Sequence, residues 1–569
     1  MTPTRLVTLG ALLLAAPLAA QDPVGIDFSR PAASDAKVHE IPDSVLDRAV
    51  AWYNAAGTTR ISGTVELPAG NVWRGPQALY RGQLRIDGRV EGDVLVVNGD
   101  MRITASGVVT GSVTVLGGRL LVDAGGSVGG AQLEYPTTAR LTLTVDGRLM
   151  RQAGRRALSD YTSASTTFTW RNFQTTLRAN PGSYNRVEGF PVEFGPSVIW
   201  DRDDLTQLKF DLTGILRTAS DPTDSRSTLG WRGSLAVKRA GAHPLTLGLR
   251  GGAVVAPVAD RPYQTLETGL GAFFLRRDFR DWYAQRSIGV FAEMQLRPTV
   301  LASASIDVSR ERSVSAVDAF SILRSGEEWR PNPLIDDGRY RTFAGGVTYD
   351  TRDDRRRPTS GWYVRSDLRY VTSGELTPVS LPVEIRTAMP TSNYDALEMD
   401  LDVRRYQRLG PTQSVHMRLT GGGWLAGNRL TIQRRRAMNG ADPLAGYGFR
   451  AVNCDRRRRP DPALPALCDR QLAVQVEYRR TLDIDLSTRL GNTTIGLQRP
   501  DLVIFGDAGS AWLAGPGAGR VPSGRIQSIA EWRSDVGIGM DAGSFGLYLA
   551  RALPDNEPIR FGIRFSRRF

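Results

Sequence analysis

In segment after segment from about residue 190 to Phe569, apolar and polar side chains alternate with a period of two. Examples are "LTQLKFDLTGIL", "LASASIDVSR", "GWYVRSDLRYV", "QLAVQVEYRRTLDI" and the terminal "RFGIRFSRRF". That period belongs to strands with one apolar and one polar face. In the terminal segment Phe561, Ile563, Phe565 and Phe569 share one face, with Arg567 as its polar exception. Arg560, Gly562, Arg564, Ser566 and Arg568 lie between them. Ten residues at about 3.3 Å each span about 33 Å, which a tilt near 45° reduces to the height of a lipid-facing apolar band. An edge strand of a soluble sheet alternates in the same way, so the terminus alone leaves both readings open.

The first residues narrow the choice. In "MTPTRLVTLGALLLAAPLAAQDP", Arg5 precedes an almost wholly apolar run from Leu6 to Leu18, and small residues follow. This is the pattern of a secretory signal peptide, residues 1–20, too short to be a spanning anchor. No later segment supplies the roughly 18 consecutive apolar residues of a membrane helix. An exported chain of alternating strands is then either soluble or crosses a membrane as a closed barrel, because lipid tolerates no open sheet edge. About 380 residues shared among sixteen strands leaves about 24 for each strand and its loop. The expected fold class is therefore all-β: a transmembrane antiparallel β-barrel of sixteen strands over residues 190–569, with "TLETGLGAFFLRRD" its least regular segment.

A different pattern precedes it. Within the segment 21–60, "IPDSVLDRAVAWYNAAG" reads as a short helix with Asp43 or Ser44 as its cap and a packed stripe of Val45, Leu46, Ala49, Val50 and Tyr53. Over residues 61–135 the chain repeats every nineteen positions. Gly88, Gly107 and Gly126 correspond, as do Val90, Val109 and Val128, and Leu84, Ile103 and Val122. Short alternating strands separated by glycines at a fixed period describe rungs of a β-solenoid, with the helix as a candidate cap for an open end. Paired hairpins with glycine turns are the other arrangement such a sequence permits. The stretch resembles the bactofilin-like β-helix, with about three clear rungs. Residues 136–189 read as a bridge into the barrel.

The formal charge is +13, carried mainly by arginine in runs such as "RDDRRRP" and "CDRRRRPDP". Export and the lack of a reading module argue against nucleic acid. Anionic lipid, acidic ligands at a pore mouth, or plain solvation remain for these runs. The two cysteines, Cys454 and Cys468, flank one polar, proline-rich loop and are expected to be bonded in an oxidising compartment. The three histidines are scattered, so no metal cluster or cofactor is expected.

Four ordered motifs in the second half resemble the Omp85 superfamily of outer-membrane barrels, the bacterial surface antigen family that includes the BamA and TamA types. "YDTRDDRRRPTSG" supplies Asp350, Thr351, Arg352, Asp353, Pro358 and Gly361 for its Asp-Thr-Arg-Asp and Pro-x-x-Gly pattern. "PLAGYGF" supplies Leu444, Gly446 and Tyr447 of the inward sixth loop, but Ala445 stands where the family has arginine. "EYR" gives Glu477, Tyr478 and Arg479, and "FGDAG" gives Phe505, Asp507 and Gly509. "YNRVEGF" is similar to the barrel entry of some members.

The resemblance implies that Glu477 and Asp507 face a polar lumen and pair with a cation of the loop. With Ala445 unable to serve, Arg450 or Arg479 is expected to supply it. The aromatic terminus of Phe561, Ile563, Phe565 and Phe569 is similar to the recognition signal of outer-membrane barrels. The POTRA receptor modules of family insertases are not recognisable, and the solenoid stands in their place.

The implied location is the outer membrane, with the N-terminal region in the periplasm. The expected partners are outer-membrane lipid and protein clients or envelope proteins. The expected activity is assistance to protein insertion or translocation, or lipid movement, at a seam between Val192–Trp200 and Phe561–Phe569. A structural anchor for the solenoid and a passive pore are the alternatives. No catalytic residue is expected, since neither a nucleophile elbow nor metal spacing is present.

Overall fold

Glycine columns set the shape of the N-terminal unit. A Cβ on Gly82, Gly99 or Gly118 would stand 1.9, 2.3 or 1.9 Å from the carbonyl oxygen of Gly63, Gly82 or Gly99, one rung earlier. Only glycine lets successive turns of backbone stack so closely at this corner. In this computed structural model the described residues are 41–135, 139, 141–143, 147–151, 164–203, 205–219, 228–241, 243–258, 265–297, 299–324, 326–353, 358–381, 389–410, 412–438, 443–454, 463–482, 484–490, 493–498, 500–542, 545–553, 557–564 and 568. The expected signal peptide, Phe565 and Phe569 lie outside them.

One solenoid face is a parallel ladder of Thr59–Leu67, Gln77–Ile86, Val94–Ile103, Val113–Leu116 and Gln132–Tyr135. A second is formed by Val72–Arg74, Arg89–Glu91, Val108–Val109 and Ser127–Val128. Between them Leu84, Ile86, Val90, Val96, Met101, Ile103, Val109 and Val115 are buried in one apolar stack. The nineteen-residue register holds from Val94↔Val113 and Val90↔Val109 onward, whereas the earlier rung pairs Leu79 with Val96, seventeen positions away.

Helix Asp43–Asn54 follows Pro42 and makes no side-chain cap bond. Its Val45, Leu46, Ala49 and Tyr53 pack on Ala78, Tyr80, Leu95, Val97 and Leu116. The helix therefore covers the flank of the ladder and does not close an end. The outward positions of these strands are themselves apolar and need that cover.

After a small antiparallel pair, Leu141–Leu143 with Leu149–Arg151, most of the described chain forms one antiparallel sheet of seventeen strands in sequence order, consistent with a barrel-like domain. It begins at Ala164–Trp170 and Phe173–Pro181, inside the stretch read from sequence as a bridge. Counted from Phe173–Pro181 the strands number sixteen. Ala164–Trp170 is an additional strand on the sheet's first edge. Val192–Asp203 is paired on both sides, so Val192–Trp200, expected as one side of a seam, is not an edge of the sheet.

Connections alternate between short turns, such as 203–206, 297–300 and 410–413, and long loops, such as 257–282, 313–337 and 427–470. "TLETGLGAFFLRRD" lies in one of the long loops and forms helix Thr265–Leu275, not a strand. "YNRVEGF" is likewise in a long loop, with Arg186 fully buried against Asp278 and Asp281. The hairpin Asp485–Leu490 with Thr493–Gln498 extends one short-turn end outside the main sheet.

Candidate functional site: the charged interior and its inward loop

Side-chain alternation turns this sheet inside out relative to a soluble protein. Leu212, Leu235, Ile288, Val308, Leu368, Val476, Ile538 and Phe561 are exposed, while Asp402, Arg418, Glu477, Arg479, Asp507, Asp535 and Asp541 are buried. Exposed apolar residues on strand after strand form a band that water does not favour. The interior charges survive desolvation because they are paired. Arg418 and Arg404 share Asp402, at 3.0 and 2.7 Å. Arg369 meets Asp400 at 2.8 Å, and Arg436 from the 427–470 loop meets it at 3.1 Å.

That loop folds inward. Leu444 is buried among Met438, Tyr447, Cys468, Ala473, Ala511 and Ala552, and Ala445 packs on Val503, Phe505, Tyr548 and Ala550. The Gly446 amide donates to Asp535 at 2.5 Å, and the Tyr447 hydroxyl donates to the Ser534 carbonyl at 3.3 Å. A Cβ on Gly446 would stand 2.6 Å from the Ala552 nitrogen, so the close approach requires glycine here. A disulfide joins Cys454 to Cys468 and ties the loop's return to the start of strand Arg470–Thr481. Gly509 faces Met438 of the same loop, whose terminal carbon would lie 2.9 Å from a Cβ at that position.

Neither cation expected from sequence completes the pair with Asp507. Arg450 bonds Asp281 and the Leu464 carbonyl, at the long-loop end. Burial would raise the Asp281 carboxyl, but Arg450, Arg330 and Arg186 around it outweigh that and hold it below the usual carboxylate range. Arg479 meets Glu477 at 2.8 Å and Asp541 at 2.7 Å. The partner of Asp507 is Arg568. Its guanidinium bonds Asp507, lies 3.4 Å from Glu477 and 4.1 Å from the Phe505 ring centroid, and donates to the Pro443 carbonyl at 3.2 Å. The sequence held a signal for this: Arg560, Arg564 and Arg568 are four apart, on the face opposite Phe561 and Ile563. Both apolar residues are exposed.

The motif "YDTRDDRRRPTSG" builds a different place, the turn between Asp337–Asp350 and Gly361–Thr377. Asp350 holds Arg352 at 2.8 Å, and Arg352 and Arg404 both lie over the Tyr363 ring. Asp353 accepts from the Thr359 and Ser360 amides at 2.8 and 3.1 Å. Pro358 is buried, and Gly361 has φ +108 with a Cβ position 2.2 Å from the Thr351 carbonyl. Arg408, near the end of strand Tyr394–Gly410, bonds Asp353 at 3.2 Å and the Arg81 carbonyl at 3.1 Å. Arg81 belongs to the solenoid, so the solenoid meets the sheet at its short-turn rim.

No group of metal-binding side chains occurs among the described residues, and no described helix is long and apolar enough to cross a membrane. An antiparallel sheet with an apolar exterior, an ion-paired interior and a loop lodged inside is consistent with a barrel-like domain. Residues 263–544 match the Omp85 superfamily domain.

Among solved structures the chain is similar to BamA from Haemophilus ducreyi lacking POTRA domains 1-3, at 10% identity and TM-score 0.39, covering 71% of this chain and 74% of that one. CdiB from Acinetobacter baumannii is similar at 12% identity and TM-score 0.30, covering 71% and 66%. CdiB from Escherichia coli is similar at 8% and 0.31, covering 70% and 62%. The chain thus spans less than two thirds of the length of the two CdiB structures. No curated protein matches.

Proposed function

We propose that the chain is an outer-membrane barrel of the Omp85 type that assists insertion or translocation of strand-forming clients, with the solenoid on the periplasmic side. The observation that carries this reading is the contrast between the sheet's ends and its middle. Among the described residues, Ala164–Trp170 and Arg560–Arg564 are each paired on one side only. Such edges offer backbone donors and acceptors that a client strand can meet, so the client crosses the bilayer with its polar backbone satisfied. No bond chemistry is needed.

The test is a folding assay. Liposomes containing the purified protein should speed insertion of a urea-unfolded outer-membrane barrel relative to empty liposomes. An unchanged insertion rate from correctly folded protein would refute the reading.

A second reading, a barrel that anchors the solenoid as a platform, is favoured by the contact of Arg408 with the Arg81 carbonyl. It expects no acceleration of client insertion and a loss of envelope-protein binding when the solenoid is removed.

A further inference from the structure

The inward loop lacks its own cation at Ala445, yet the carboxylates that would meet one are buried: Glu477 is 0% and Asp507 3% exposed. Glu477 already meets Arg479 at 2.8 Å, but a buried carboxylate such as Asp507 is destabilising when a cation beside it is removed. Arg568 occupies the place. Its side chain is 1% exposed, it bonds Asp507, stands 3.4 Å from Glu477, covers the face of Phe505 and reaches the loop backbone at Pro443. Arg418 in turn donates to the Arg568 carbonyl at 3.5 Å. One guanidinium thus touches the inner wall at two strands and the loop at one point. Ala445 packs on the same Phe505.

Arg568 lies four positions beyond the end of Arg560–Arg564, the terminal strand that among the described residues is paired on one side only. We propose that Arg568 is a latch: it supplies from the terminal segment the charge the loop lacks, and couples docking of the loop to the position of the terminal strand. Displacing that strand withdraws the guanidinium from Asp507 and from the Pro443 carbonyl together, and the loop loses its link to the wall. Arg568 is a positioning residue and transfers nothing. The coupling extends the seam reading, but its test reads the loop and not client insertion, so the two fail separately.

The geometry predicts a reciprocal rescue. Arg568→Ala should leave a folded barrel, still shifted between unheated and boiled gel lanes, whose loop is cut near Tyr447 roughly tenfold faster or more. Its single-channel conductance in planar bilayers should rise. Ala445→Arg alone should lower folding yield, because Arg568 already fills the space beside Phe505. Arg568→Ala with Ala445→Arg should restore slow cleavage and low conductance, since the cation returns from the loop side. Arg568→Lys, which keeps the charge but loses the planar fork, should fall between.

Wild-type cleavage and conductance in folded Arg568→Ala protein would overturn the proposal. So would a double variant no better than Arg568→Ala. If Arg568→Ala does not fold, the double variant must; failure of both to fold also overturns it.

Discussion

Replacing Asp353 by alanine tests what the Asp-Thr-Arg-Asp turn contributes. The carboxylate accepts from two backbone amides, Thr359 at 2.8 Å and Ser360 at 3.1 Å, and pairs with Arg408 at 3.2 Å. Hydrogen bonds to a charged group contribute about 1.5–3 kcal/mol each, and a partly exposed ion pair adds about 1 kcal/mol or less. Water at the rim recovers part of this, which leaves a loss of about 2–3 kcal/mol. For a domain of this size that corresponds to a fall of about 2–4 °C in the temperature at which the unheated gel band converts to the boiled one. Thr359→Ala keeps the backbone amides and should cost about 1 kcal/mol or less. Arg408→Ala keeps the turn but removes the bond to the Arg81 carbonyl, so protease should release the solenoid faster with little change in conversion temperature. An Asp353→Ala protein that converts at the wild-type temperature would refute the assignment of this motif as a structural clasp.

Gly446→Ala should push the loop off the wall by about 1–3 kcal/mol of overpacking, since the new Cβ would meet the Ala552 nitrogen at 2.6 Å; conductance measures it. Gly99→Ala should unstack the solenoid corner, where the Cβ would stand 2.3 Å from the Gly82 carbonyl, and digestion of residues 59–135 in the full-length protein should accelerate. The lowered carboxyl of Asp281 sets a pH dependence. Its stabilisation is complete above the unfolded value near pH 4 and is lost as pH falls toward the lower folded value. Pepsin should therefore open the long-loop end only under strong acid in the wild type, and at milder acidity in Asp281→Asn.

The alternation that made strands legible also fixed their faces. Val476, Ile504 and Ile538 are exposed, and Glu477, Phe505 and Gly539 turn inward, as period two requires. The solenoid's stacked columns, Val90 over Val109 and Val94 over Val113, were equally readable. What sequence missed has identifiable causes. "STTFTWRNFQTTLRANP" carries threonine on both faces, so its two strands have little contrast, and the sheet begins earlier than expected. "TLETGLGAFFL" is a short apolar run that periodicity cannot assign, and it became a loop helix.

Arg450 was chosen for its nearness in sequence to the inward loop, but its charge is taken by Asp281 from another loop, 169 positions away. Arg568 was visible as an inward position of the terminal strand. That its side chain reaches Asp507, 61 positions away in sequence, is a long-range contact that no local pattern encodes.

Amide exchange of the intact protein in lipid nanodiscs addresses the proposed seam directly. Amides of Ala164–Trp170 and Arg560–Arg564 should exchange orders of magnitude faster than those of Gly361–Thr377 and Tyr394–Gly410, because among the described residues each edge strand is paired on one side and the central strands on both. Equal protection at the edges and the centre would mean a uniformly closed barrel, and would contradict a seam that opens to clients.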